Sequence, residues 1–397
     1  MKERTCSQHP TWVVRYTECP DYPPLFLLEI QPVKELLIFL AAMVTWTSSA
    51  ASVAAPDPAA VLAAPTKIGT SGLVSGNFIY PLEGRQTPEC HASTIVSTPT
   101  GLVAAWFGGK HEKNPDVGIW VSRFEDDHWT RPSEVVNGVQ SDQLRHPCWN
   151  PVLFQPAKGP LLLFYKVGPT PSTWWGMLVT SNDGGKSWNK PTKLGKDSAI
   201  GHIVGPVKNK PIELSDGSIL CPSSSEHNNW RVHFELTKDQ GKTWEIIGPI
   251  HDGKKFNAIQ PSILTYKNGS MQVMCRTQEG VIAQSWSSDG GQTWSQPAAT
   301  HLPNPNSGTD AITLADGRQL LVYNHTIRRG EFPAGRNMLN VAISKDGKTW
   351  HPVLTLERDK GEYSYPAVIQ AADGTVHVAY TWRRQTVKHV VINPKKF

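Results

Sequence analysis

The chain is 397 residues long, carries 39 Lys and Arg against 34 Asp and Glu, and has a formal charge of +5. That mild basicity falls well short of a nucleic-acid-binding signature and leaves an anionic partner open. Two domains would fit in this length, but a repeat fills nearly everything after the first seventy residues, so one domain is expected.

The first segment reads as a leader. Residues 36–44, LLIFLAAMV, form an apolar run too short to span a bilayer; TWTSSAASVAAP follows, and its small residues suit signal-peptidase cleavage near Ala55. Residues 1–32, which include Cys6, Cys19, Pro23 and Pro24, fit no such signal, whereas a start at Val33 gives VKELLIFLAAMVTW, an ordinary signal peptide. The expectation is that Val33 is the true initiator and that 1–32 are a gene-prediction artefact, with a genuine extended leader as the alternative. This divides the chain into a leader over 1–55, a linker over 56–71 and a domain over 72–397, exported to the periplasm or beyond. Cleavage leaves Cys90, Cys148, Cys221 and Cys275 in or beside predicted strands at no metal-like spacing. Four buried thiols is the default, with one or two disulfides open in an oxidising compartment.

From there the chain is periodic. The stretch at 77–83, around NFIYPL, reads as a strand. Six glycine turns follow between apolar runs, at Gly101, Gly159, Gly217, Gly269, Gly317 and Gly374, spaced by 58, 58, 52, 48 and 57 residues. A second motif runs out of phase with them: SNDGGKSW from 181, TKDQGKTW from 237, SSDGGQTW from 287 and SKDGKTW from 344, with SRFEDDHWTRP from 122 as a decayed copy. Each copy suits a tight hairpin in which Asp caps its own backbone amides and Trp anchors the turn. A period of this length is one small sheet per repeat, so the fold class expected is all-β, a six-bladed β-propeller. After VHVAYTW only KHVVINPKKF remains, which leaves the last sheet one strand short. The cheapest completion borrows the strand at 77–83, closing the ring and removing a sheet edge.

Candidate site residues lie on predicted inner strands and the loops above them. In chain order they are His91 in PECHASTIV; Lys110, His111, Glu112 and Asp116 in FGGKHEKNPDVGIW; Arg145 and His146; Trp174 and Trp175 in PSTWWGML; Lys208 and Lys210; Glu226 and His227; Gln260 in FNAIQPSIL; Arg276 in MQVMCRTQ; Asp310 in NPNSGTD; Arg336 in GRNMLNVAISKDGKTW; and Tyr363 and Tyr365 in YSYPAVIQAADG, two apart and so on one strand face. The adjacent tryptophans suit either a sugar-stacking platform or the edge of a packed blade. No metal or cofactor is demanded: the histidines make no zinc signature, and the Asp turns are better explained as hairpin caps than as calcium loops.

The S-x-D-x-G-x-T-W pattern resembles the Asp-box repeat of the sialidase superfamily, over roughly residues 72–397. The resemblance implies the propeller directly, but those turns belong to the outer rim, so activity has to be read from the inner strands. Sialidases hold a sugar carboxylate with three Arg residues, donate a proton from an Asp, and attack with a Tyr that a Glu activates, a departure from the usual glycosidase carboxylate pair. A neutral phenol avoids the repulsion that a charged nucleophile would meet beside the carboxylate, and guanidiniums offset that carboxylate through charge-assisted bonds. By this resemblance Arg276 and Arg336 fit the second and third Arg, Tyr365 (with Tyr363 beside it) the nucleophile, and Asp116 the proton donor.

Two positions depart from the pattern. PECHASTIV presents Cys90 or His91 where the first Arg belongs, and FNAIQPSIL presents Gln260 where the activating Glu belongs. An amide cannot take a proton from Tyr, and His91, at the pocket mouth, is the natural replacement base. The sequence therefore implies a secreted, monomeric exo-glycosidase that removes a terminal anionic sugar from a glycan partner. Two alternatives stand beside it: hydrolysis or elimination at a uronic acid, for example in rhamnosyl-glucuronate oligomers, and a glycan-binding propeller without catalysis.

Overall fold

The computed structural model describes residues 64–195 and 201–397. The leader, its cleavage near Ala55 and the start at Val33 lie outside the described residues. Six sheets, each of four strands or slightly more, follow one another along the chain. Their innermost strands are Glu89–Thr98, Cys148–Phe154, Ile212–Glu213, Ala258–Thr265, Asp310–Thr313 and Tyr363–Gln370, and we number the blades 1 to 6 in that order. The six glycine turns join each innermost strand to the next one out, which is why they keep the blade period.

Closure follows the sequence-based expectation in kind. The strand Leu73–Phe78 pairs antiparallel with Thr386–Ile392 and becomes the outermost strand of blade 6. It begins at Leu73, ahead of the expected Asn77, and ends at Phe78, because Ile79 and Tyr80 turn instead into the core between blades 6 and 1.

Six apolar clusters occupy the interfaces between consecutive blades, the last joining blade 6 to blade 1. Each turn Trp wedges into the interface with the blade before its own: Trp188 between blades 1 and 2, Trp244 between 2 and 3, Trp294 between 3 and 4, and Trp350 between 4 and 5. Trp129, from the decayed copy, does the same between 6 and 1. Blade 6 has no such turn, and Phe397 packs against the interface between blades 5 and 6 instead. In the turns themselves Asp289 accepts from the Thr293 amide at 2.9 Å and the Ser287 hydroxyl at 2.8 Å, a pattern that Asp183, Asp239 and Asp346 repeat. Trp350 is 4% exposed; Trp350→Ala is expected to cost about 3–5 kcal/mol, read as a lowered urea midpoint with an unchanged slope.

Cys90, Cys148, Cys221 and Cys275 are buried free thiols. Among the described residues no helix is long and apolar enough to cross a membrane.

Candidate active site

In five of the six blades one residue on the innermost strand, or just before it, has a left-handed backbone: Ala92, Asn150, Lys208, Gln260 and Tyr365. Each stands nine residues before its blade's glycine turn, at Gly101, Gly159, Gly217, Gly269 and Gly374. Register shifts in the ladders of blades 1, 2, 4 and 6 accompany them. A bulge re-aims the side chain it carries, and a non-glycine residue held there costs on the order of 1–3 kcal/mol. The repeat thus sets one strained residue at the same place in each of these blades, and those of blades 3, 4 and 6 converge around Gly308.

Tyr365 and Gln260 are two of these. Gln260 Nε2 lies 3.4 Å from Tyr365 Oη, and Arg276 Nη1 donates to the same oxygen at 2.6 Å. Beneath them Lys208 Nζ donates to the Thr309 and Pro366 carbonyls at 2.6 and 2.5 Å, tying blades 3, 5 and 6 together. Burial pushes this lysine down to about 7, with Asp310 opposing. Gly308 closes the floor: a Cβ there would come within 3.1 Å of Gln260 Oε1 and 3.4 Å of the Tyr365 ring.

Arg276 and Arg336 form the wall. Arg276 Nε donates to Asn306 Oδ1 at 2.7 Å, and its Cζ lies 5.0 Å from the Trp230 ring centroid. Arg336 Cζ sits 5.5 Å from the centre of the Tyr365 ring, while Nη2 reaches the Asn306 carbonyl and Nη1 donates to Glu362 at 2.9 Å. Glu362 also accepts from Arg384 Nε at 2.9 Å and from Ser364 Oγ at 2.7 Å, and Arg384 Nη1 reaches Glu112 at 2.7 Å. Burial by itself would raise the Glu362 carboxyl; the surrounding charges, the two guanidiniums among them, hold it well below its usual range. On the other side Glu226, next to Trp230 and Arg276, is pushed up by burial, with Arg276 opposing. One network of contacts thus runs from blade 1 through 6, 5 and 4 to 3.

The structure therefore brings together Tyr365, Arg276, Arg336 and Gln260 from distant stretches of chain. His91 lies elsewhere than expected. It is 3% exposed and sits behind the Tyr365 ring, centroids 4.2 Å apart, with Nδ1 3.1 Å from Thr381 Oγ1 and Nε2 3.8 Å from Glu362. Burial, reinforced by Arg384, drives its pKa well below the usual value, so it supports the phenol as a neutral ring rather than standing at the mouth.

Tyr363 parts from Tyr365 because the bulge at Tyr365 breaks the strand alternation. Its ring enters the core between blades 5 and 6, and its hydroxyl accepts from Arg383. Asp116 uses both carboxylate oxygens on the Lys110 amide, at 3.1 and 3.2 Å, and no contact joins it to the phenol. Lys110 and His111 are exposed on the same hairpin, where His111 Nδ1 meets the Glu112 carbonyl. Trp174 is buried edge-on against Trp149, and Trp175 packs against His146 and Lys193. The tryptophan ring beside Arg276 is instead that of Trp230. Lys210 and Asp310 pair at 2.8 Å, and Asp310 also receives Ser262 and the Val368 amide, which makes it a stitch between blades.

Residues that the sequence reading missed are Arg384, Glu362, Trp230 and Asn306. The doubled Arg directly after the apolar strand VHVAYTW, and an acidic residue directly before YSYP, were the available signals for the first two.

Residues 100–378 match the BNR repeat-like domain. The chain is 24% identical over 248 residues to a sialidase of Micromonospora viridifaciens, covering 59% of this chain and 33% of the relative. It is 23% identical over 226 residues to an anhydrosialidase of Macrobdella decora, covering 51% and 29%. The chain thus spans about a third of the length of these curated relatives. Among solved structures, a protein of unknown function from Dyadobacter fermentans superposes with TM-score 0.65 at 20% identity, over 81% of this chain and 98% of that one. The NanB sialidase of Streptococcus pneumoniae superposes with TM-score 0.64 at 13% identity, over 81% and 71%. At such identities the superpositions speak for the fold alone, but the domain match covers most of the chain, and the chain belongs to the BNR repeat-like domain family of sialidase-like propellers.

Proposed function

We propose that the protein is an exo-acting glycosidase of the sialidase-like kind, exported by its leader and acting as a monomer on a terminal sugar that bears a carboxylate. The carrying observation is the convergence of Arg276, at 2.6 Å from Tyr365 Oη, and Arg336, over the same ring. Two guanidiniums against one phenol favour a phenolate in the transition state and an anionic ligand beside it. Tyr365 is the nucleophile in this reading: its proton passes to solvent water, since Gln260 offers no base, the oxygen bonds the anomeric carbon, and the bond from that carbon to the leaving oxygen breaks. Proton donation to the leaving oxygen falls to Glu226, whose burial keeps the proton available, or to Asp116 once its hairpin releases the Lys110 amide. The sugar is a sialic acid or a uronic acid.

A second reading, glycan capture without turnover, is favoured by Gln260, whose amide supplies the phenol with a donor where a base is needed. Chromogenic sialosides, uronides and rhamnosyl-glucuronate oligomers, tested with the parent and with Tyr365→Phe, Glu226→Gln and Asp116→Asn, separate the two. Release of the terminal sugar by the parent and its loss in Tyr365→Phe is expected. An absorbance gain from a new double bond would indicate elimination, and saturable binding with no product would leave capture alone.

A further inference from the structure

Arg384 is held in an uncommon way. With Arg383 it forms the central pair of a two-residue hairpin turn, Gln385 N bonding the Trp382 carbonyl at 3.0 Å, and both arginines have left-handed backbones, φ 52° and 56°. Such turns ordinarily take Asn-Gly or Asp-Gly, because a Cβ is disfavoured at both positions. The two side chains diverge. Arg383 goes to Asp359 and the Trp382 face, and Arg384 goes to Glu362 and Glu112 at the axis. The Arg384 carbonyl receives the amide of Cys90 at 2.8 Å, so the turn is fastened to the segment of blade 1 where the first carboxylate-holding Arg of the resemblance is missing.

We infer that Arg384, supplied by the last blade, completes the guanidinium set for the substrate carboxylate, and that Glu362 is a resident carboxylate which that substrate must displace or share. The inference rests on the reading of an anionic sugar at Tyr365. Glu362 bridges Arg336 and Arg384 at 2.9 Å each, the arrangement a ligand carboxylate would adopt between two forks. Arg336, Arg384 and Glu362 are each about a quarter exposed, 23%, 26% and 25%, so an incoming anion can reach all three. Glu112 anchors the far side of Arg384 and keeps its fork aimed inward. The affinity of the site for carboxylates is then set by competition with Glu362, not by the number of arginines alone.

The test is calorimetric titration of the full-length protein with N-acetylneuraminic acid and D-glucuronic acid, each beside its methyl ester. The parent should prefer an acid over its ester. Arg384→Ala should weaken the acid roughly ten- to hundred-fold, the range for a lost charge-assisted bond, and leave the ester unchanged; Arg384→Lys should recover part of the loss. Glu362→Gln, which keeps the shape and removes the charge, should tighten the acid several-fold. Circular dichroism of each variant verifies the fold. An unchanged acid preference in Arg384→Ala, with loss in Arg276→Ala, would overturn the inference while sparing the anionic-sugar reading. So would a Glu362→Gln variant that binds the acid as weakly as Arg384→Ala. A parent indifferent to esterification would remove the reading itself.

Discussion

Gln260→Glu is expected to raise the rate of sugar release, by on the order of 10²–10⁴-fold if the gained carboxylate acts as a general base. The side chain already stands 3.4 Å from Tyr365 Oη, and Glu has the same length as Gln, so the substitution needs no rearrangement of the strand bulge that aims it. A carboxylate at a position 1% exposed needs a partner, and Arg276 Nη1, 3.4 Å from Oε1, supplies it. That pairing lowers the basicity of the new group and sets the gain below what an isolated base would give. The pH profile is the sharper readout: Gln260→Glu should acquire an acidic limb that the parent lacks, because the new group works only when ionised. A folded variant with unchanged or slower release would show that deprotonating the phenol is not what limits the parent.

The legible part of this protein is what recurs. Trp188, Trp244, Trp294 and Trp350 repeat because each fills the same gap between neighbouring blades, and the glycine turns repeat because each joins an innermost strand to the next one out. Even the strained axis positions are countable, nine residues before their glycines, although that count becomes meaningful only once the left-handed backbones are seen. Arg276, Arg336 and Tyr365 were readable because the resemblance fixes their places in the repeat, although only Arg276 lies on a regular strand, with Arg336 in the turn before one and Tyr365 on a bulge. The failures occur where a local break decides the direction of a side chain. Spacing puts Tyr363 and Tyr365 on one face, but the register shift between Ser364 and Ala367 separates them. His91 read as a mouth residue because nothing local announces that Ala92 is left-handed and that Thr381 will hold the ring from behind. Arg384 and Glu362 were missed because they act across blade junctions, where a hairpin tip meets the start of the chain's first blade. Sequence patterning within one blade carries no record of that meeting.

Acid should destabilise this protein well before its turn aspartates begin to titrate. Burial pushes His389 down to about 3 and His325 down to about 4, and lowers His251 and His377 as it does His91. His377 and His389 stack with ring centroids 5.2 Å apart at 9° and share a 2.9 Å contact from Nδ1 to Nε2, so protonating both would set two cations face to face. These rings are neutral in the folded protein, whereas in the unfolded chain they take up protons near pH 6.5. Each group with a depressed folded pKa therefore contributes stability that is fully present above about 6.5 and is lost as the pH falls toward the folded value. The turn carboxylates Asp239, Asp289 and Asp346, held at about 2 chiefly by backbone amides and, for Asp289, the Thr293 hydroxyl, add their loss only below roughly pH 4. Between about pH 6.5 and 4 the decline thus belongs to the histidines. At about 1.4 kcal/mol per pKa unit, His389 and His325 bring it to several kcal/mol. Urea midpoints measured from pH 7 to 4 should fall steeply over that interval, and His389→Gln should flatten the slope even though it gives up the contact with Trp129. A midpoint that holds steady down to pH 4.5 in the parent would mean that the folded state accommodates these cations, and the burial argument would fail.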